Sequence, residues 1–289
     1  MSNKNDKTKR VLVQQNITMS KIGAYAQCQI FKSIKAPYCH GFVTGEQTNI
    51  CNVFVINKHP IDVASEFCLT GLNAGIKEGL APVAMCVVNR MNFTAANFNT
   101  SEGFTDEAFN LRTNYCRSTE QGNPFPVREN ECVYNRAVTV IRDQYFNILT
   151  FNNLYRFSVI TASPVNKPAL LDENRMNSRD FLTSMSTLET IFQTAIACGN
   201  NVLLLTPFGH TDDQIPQEDI VKIYNALIFK YQHRFKYIIV CVAPWYGTEL
   251  FNLFNDGIIL PQELCDDNED DERIIIANNK TKSNKKLRR

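Results

Sequence analysis

The sequence predicts an α/β protein: a three-layer α/β/α sandwich around a mixed, mostly parallel sheet, with an N-terminal helical extension. Three observations predict it. Continuous apolar runs such as VAMCVV (83–88), NVLLLTPFG (201–209) and KYIIVCVAP (236–244) suit strands covered on both faces. Amphipathic helical patterns alternate with those runs, as a sheet sandwiched between helices requires. The chain's 289 residues, 44% of them hydrophobic and 20% charged, are enough to fill one large core.

In chain order, residues 1–10 read as a polar tail leading into a strand-like VLVQQNI (11–17), with a helix over 20–34 and a loop punctuated by Pro37, Gly41 and Gly45. Together 11–48 form the extension. NICNVFVIN (49–57) has the β-branched and aromatic content of a buried strand, and His59-Pro60 opens a helix over 60–76 that places Ile61, Ala64, Cys68, Leu72 and Ile76 three or four apart. After the strand at 82–89, DEAFNLRTNYC (106–116) reads as a helix, 129–143 as short strands, and RFSVITASPVN (156–166) as a buried strand ending in a Ser-Pro loop. Residues 179–199 give the clearest helix, with Phe181, Leu182, Met185, Leu188, Ile191, Phe192, Ala195 and Ile196 on one face and Gly199 as terminator. A strand at 201–209, a helix at 217–235 and a strand at 236–244 complete one domain over 11–262. The acidic DDNEDDE (266–272) and basic KTKSNKKLRR (280–289) mark 263–289 as a disordered tail.

Thirty Lys and Arg against 29 Asp and Glu leave a net charge of +1, so no bulk field attracts phosphate polymers or anionic membranes. The start of the chain shows no secretory leader and the sequence no membrane span, which predicts a soluble protein of the cytoplasm, the nucleus or both. The ten cysteines sit mostly in apolar runs without a CxxC pair and read as buried reduced thiols. The chain lacks GxxxxGK[ST], a strand-linked GxGxxG, HExxH and GxSxG, and its four histidines lack metal-ligand spacing. No metal and no cofactor is therefore expected.

One constellation carries chemistry. A strand ending in Asn89 is followed by a loop of small and polar residues that includes Ala95, Ala96, Asn97 and Phe98, and then by the acidic pair Asp106-Glu107 at a helix start. By itself such a pair also suits the positive end of a helix dipole. Read together, VVNRMNFTAANF and TDEAFNLRT, then ECVYNRAVTVIRD, SVITASPVN, NVLLLTPFG and KYIIVCVAP resemble the microbial-type poly(ADP-ribose) glycohydrolase family, a branch of the macrodomain fold, from about residue 49 to about residue 255. The resemblance implies that Asn89 bonds the distal ribose, that the backbone of 95–98 approaches a diphosphate, and that Glu107, beside Asp106, is the catalytic acid. It also places Gly209, His210 and Thr211 in a second phosphate-binding loop. A competing register, anchored on Cys116-Arg117-Ser118, puts Arg112 and Thr113 at the acidic positions instead.

The family's three glycines stand here as Ala95, Ala96 and Asn97, and its Gln-Glu-Glu as Thr105-Asp106-Glu107. In the second loop only Gly209 survives, followed by His210, Thr211, Asp212 and Asp213. A like charge at about 4 Å from a diphosphate opposes binding by up to about 4 kcal/mol at intermediate dielectric. The resemblance therefore implies a divergent macrodomain that binds ADP-ribose, a related nucleotide or an ADP-ribosylated protein, with hydrolysis weak or lost. The alternatives are an active glycohydrolase using Glu107 as general acid and base, or a protein- or RNA-interaction module. Nucleic acid would be reached only through the basic C-terminal tail; oligomeric state is left open.

Overall fold

The computed structural model describes residues 2–21, 51–68, 83–88, 105–115, 127–172, 174–210 and 214–259. Six strands form the main sheet: β1 (Asn52–Ile56), β2 (Val83–Val88), β3 (Cys132–Val140), β4 (Tyr155–Ala162), β7 (Val202–Leu205) and β8 (Tyr237–Cys241). Their spatial order is β1-β8-β7-β2-β4-β3. Every neighbouring pair is parallel except β3 with β4, so five parallel strands carry one antiparallel edge strand. A small hairpin, β5 (Leu170–Asp172) with β6 (Arg175–Met176), stands apart.

Alternate residues of the strands enter two separate cores, as the period of two dictates. Leu203, Leu205, Ile238 and Val240 face α4 (Ser178–Ala197), α5 (Gln217–Tyr231) and α6 (Thr248–Gly257). Val202, Leu204, Ile239 and Cys241 face α2 (Pro60–Ala64) and, through Phe109, α3 (Thr105–Arg112). The result is the three-layer sandwich that the alternating pattern predicts. Among the described residues no helix is long and apolar enough to cross a membrane.

The N-terminus departs from expectation. Helix α1 spans Ser2–Lys21, covering both the stretch read as a polar tail and the strand-like VLVQQNI. The spacing of its buried positions explains this: Val13, Asn16 and Ile17 are buried while Val11 is 53% exposed, a helical period rather than an alternating one. Val13 and Ile17 pack on Leu111 of α3. Asn16 donates through Nδ2 to the carbonyls of Leu111 at 3.0 Å and Thr113 at 3.3 Å, groups that the end of α3 leaves without helical partners.

Other elements follow the pattern with local shifts. The short strands expected over 129–143 are one nine-residue strand whose register shifts between Asn135 and Val138. The helix expected from Pro60 ends at Ala64 and continues as a turn, and the remainder of its predicted span, from Leu69 on, lies outside the described residues. Leu182, read as part of the buried face of α4, is 62% exposed; Ser184, Thr187 and Thr190 are buried in that helix beside Leu188, Ile191 and Phe192. Gly199 terminates α4 at φ +74°, and Asn200 N–H donates to the Ala195 carbonyl at 2.9 Å. The described cysteines Cys51, Cys68, Cys132, Cys198 and Cys241 are free thiols, and burial pushes Cys51 and Cys68 up to about 12.

Candidate functional site

Ligands of open α/β sheets sit at the carboxyl ends of the strands. β2 and β7 are adjacent and parallel, so their carboxyl ends lie side by side. The chain leaving β7 makes a tight turn at Gly209, at φ +65°, where an added Cβ would come within 2.6 Å of Ile215 Cδ1 and 3.1 Å of Pro164 Cβ. Both the backbone conformation and the space demand glycine. Ile215 N–H closes the loop by donating to the Gly209 carbonyl at 3.0 Å, and Gln217 Nε2 donates to the carbonyls of Phe208 and Ile215 at 3.1 and 2.8 Å.

His210 follows, its ring edge-on to Tyr246 with centroids 5.4 Å apart. Burial holds its pKa below the ordinary histidine value, so the ring is neutral at pH 7 and adds no positive charge to an anion site. Thr211 lies outside the described residues, as do Asn89, Ala95, Ala96, Asn97 and Phe98.

The backbone of Asp106 and Glu107 forms the first turn of α3. Arg112 and Thr113, the residues of the competing register, lie at and just beyond the opposite end of that helix. Arg112 is buried and pairs through Nη2 with Asp62 of α2 at 2.5 Å. Thr113 Oγ1 donates to the Phe109 carbonyl at 2.6 Å and accepts from Tyr115 N–H at 3.0 Å. Both are absorbed in holding α3 in place.

Beside α3 opens a cavity of about 720 Å³, lined by Ala108, Leu111 and Arg112 and, across from them, by His59, Asp62, Pro244 and Trp245. His59 and Trp245 follow the carboxyl ends of β1 and β8, which pair directly. The His59 ring caps α2, Nδ1 accepting from Ile61 N–H at 3.1 Å. Burial, assisted by the Arg112 charge, pulls its pKa down to about 3. A neutral ring that accepts at Nδ1 carries its proton on Nε2, and that buried N–H has no partner among the described residues. Trp245, the chain's single tryptophan, is 51% exposed with its ring 5.1 Å from His59.

A run of rings connects this cavity to the Gly209 turn: Phe109 to His59 at 6.4 Å, His59 to Trp245 at 5.1 Å, Trp245 to Tyr246 at 6.0 Å and Tyr246 to His210 at 5.4 Å. Sequence reasoning treated His59 only as a helix opener and did not single out Trp245 or Tyr246. The available signal was a lone tryptophan placed directly after an apolar strand, in CVAPWYG.

Neither a protein-family model nor a curated protein matches the chain by sequence. Solved structures do match in shape. Poly(ADP-ribose) glycohydrolase from Thermomonospora curvata superposes with a TM-score of 0.67 at 14% identity, over 87% of this chain and 100% of that one. The chain has the poly(ADP-ribose) glycohydrolase fold. The same Thermomonospora enzyme bound to the inhibitor ADP-HPD gives a TM-score of 0.62 at 13% identity, covering 86% of this chain and 98% of that one. The Deinococcus radiodurans enzyme in complex with ADP-ribose gives 0.59 at 12% identity, covering 92% and 94%. In this glycohydrolase fold the order β2, α3, β3, β4, β7, β8 reproduces the order of sequence blocks on which the resemblance rests.

Proposed function

We propose that the chain is a divergent member of the poly(ADP-ribose) glycohydrolase family that binds ADP-ribose, free or on a protein, with hydrolysis weak or lost. The observation that carries the reading is the cavity beside α3, a nucleotide-sized space in a chain of that fold, with a half-exposed tryptophan in its lining. Trp245 offers its face to the adenine. The turn at Gly209 presents backbone to the diphosphate, but neutral His210 supplies no charge to hold it. Weak affinity for the diphosphate and weak catalysis follow from the same loop.

A second reading keeps the activity. Its support is the place of Glu107 in the chain, next to Ala108, which lines the cavity. A protonated Glu107 would give its proton to the leaving oxygen as the anomeric carbon gains oxocarbenium character, then as carboxylate direct water onto it.

Calorimetry with ADP-ribose and incubation with poly(ADP-ribose) test both. Binding that falls at least tenfold in Trp245→Ala supports the binding reading, and absence of heat from the unaltered protein overturns it. Release of ADP-ribose that disappears in Glu107→Gln establishes the active reading. Release that persists in Glu107→Gln removes Glu107 from the mechanism.

A further inference from the structure

On the face of the sheet away from the cavity, the chain leaves α6 along α5. Gly257 lies so close to α5 that an added Cβ would come within 2.8 Å of Val221 Cγ1. Asn225 of α5 then holds the departing backbone with both ends of its amide: Nδ2 donates to the Gly257 carbonyl at 2.8 Å, and Oδ1 accepts from Ile259 N–H at 2.9 Å. Ile258 is buried between these bonds, whereas Ile259 is 70% exposed. One helical turn beyond Asn225 stands Phe229, at 79% the most exposed large apolar side chain among the described residues. Residues four apart share a helix face, so the clamp delivers the chain to the side of α5 that carries the bare ring.

Phe229 is followed by Lys230 and Lys236, both exposed, and no carboxylate occurs in the chain between Ile220 and Lys236. Lys230 bonds Glu189 of α4 at 2.5 Å, and Lys236 lies over the Tyr237 ring at 5.6 Å. An ammonium has three donors, so both keep capacity for further acceptors. An exposed aromatic ring bordered by cations fits a partner that is apolar first and acidic next.

We propose that this partner is the segment of the same chain that follows Ile259, with Leu260 and Leu264 docking on Phe229 and the acidic run 266–272 meeting the lysines at the carboxyl end of α5. The order along the chain matches the order along the surface: LPQEL comes directly after Ile259, and DDNEDDE, with six carboxylates, comes next. Leu264 is five residues beyond Ile259, a reach of up to about 17 Å, against about 5.4 Å for the helical turn from Asn225 to Phe229. A tethered segment acts at a high effective concentration, so contacts too weak for a separate partner suffice. The tail is then anchored over 260–272, and the basic run 280–289 extends beyond the anchor.

The test uses the full chain and the native thiol of Cys265, next to Leu264. A second thiol is introduced on α5 by Ala226→Cys or, for comparison, on α6 by Asn255→Cys, both exposed positions, the first one turn before Phe229 and the second four residues before Ile259. Under mild oxidation, with bridges located by peptide mapping, the bond to Cys265 should form about tenfold faster from the α5 position. That advantage should disappear when Phe229→Ser is added and should shrink at high salt, which screens the lysines. An exposed side chain carries little of the fold, so Phe229→Ser tests the contact and not folding. Equal rates from the two positions overturn the proposal, because a chain ranging freely from Ile259 reaches both. An advantage that survives Phe229→Ser, or one indifferent to salt, also overturns it. Bridges that join two chains at a rate set by protein concentration assign the face to a second copy and overturn it as well.

Discussion

On one face of the sheet Leu188, Ile191 and Phe192 of α4 meet Ile220, Tyr224 and Leu227 of α5, and Phe254 of α6 closes the layer. On the other face the covering helices are short, α2 with five residues and α3 with eight, and their contacts include an arginine, a carboxylate and a histidine beside an open cavity. Buried polar groups occur on both faces. Tyr134, Ser158 and Asn200 on the first face bond one another, at 2.8 Å for Tyr134 to Ser158 and 3.1 Å for Asn200 to Tyr134. On the second, Tyr115 and Thr161 share a hydrogen bond at 2.6 Å, and Tyr155 donates to the Ile61 carbonyl at 3.1 Å. The helix-rich face is closed by packed apolar side chains, and the second face opens into the cavity beside α3.

Substitutions can sharpen this contrast. Phe192→Ala empties a fully buried site among three helices and should cost about 3–5 kcal/mol in denaturant unfolding. On the second face Asp62→Ala should cost about 3 kcal/mol, because it strands the nearly inaccessible Arg112 guanidinium. Arg112→Met should cost less than Asp62→Ala, since the Asp62 side chain keeps 32% exposure and water can solvate it. A reversed order would break the account of that pair.

The His59 site gives a pH signature. Its folded pKa, about 3, lies below its unfolded value, so the neutral ring's contribution is fully present above about pH 6.5 and is lost as pH falls toward 3. In that window it removes about 1.4 kcal/mol per pH unit. Thermal unfolding between pH 7 and pH 4 should show a steeper loss for the unaltered protein than for His59→Asn, which keeps a cap on α2 and does not titrate. The smallest stability effect belongs to Trp245→Ala: half-exposed, it should shift unfolding by less than about 1 kcal/mol, while on the proposed reading ADP-ribose binding falls at least tenfold. Equal losses of stability from Phe192→Ala and Trp245→Ala would erase the distinction between the faces.

The strands were the most legible part of the sequence, because fully buried parallel strands such as β7 and β8 are continuous apolar runs. Helix α4 was legible in extent but not in rotation: its buried Ser and Thr hydroxyls find partners, Thr190 on the Ser186 carbonyl at 2.9 Å and Thr187 on Asn130 Oδ1 at 3.3 Å. Helix α1 was misread because an apolar triplet at 11–13 imitates a strand and the deciding residue, Asn16, is polar yet buried against the end of α3. The site was legible only in part. Gly209 follows from local backbone demands, whereas the encounter of His59 and Asp62 with Arg112 and Trp245 is made by three separate segments, and no local spacing announces it.

The strand order has a temporal consequence. β8, the last strand of the sheet, enters between β1 and β7, and β1 pairs with β8 through Asn52 to Tyr237 and Ile56 to Cys241. While the chain is being synthesised β1 therefore waits without its partner until nearly all of the domain has emerged, an unpaired edge of the kind that slows folding and invites misassociation. Trp245 and His59 are brought together by that same late insertion. A nascent chain stopped before residue 237 would hold the residues of α3 but lack the Pro244 and Trp245 wall of the cavity beside it, so that cavity is completed in a single closing step at the end of assembly.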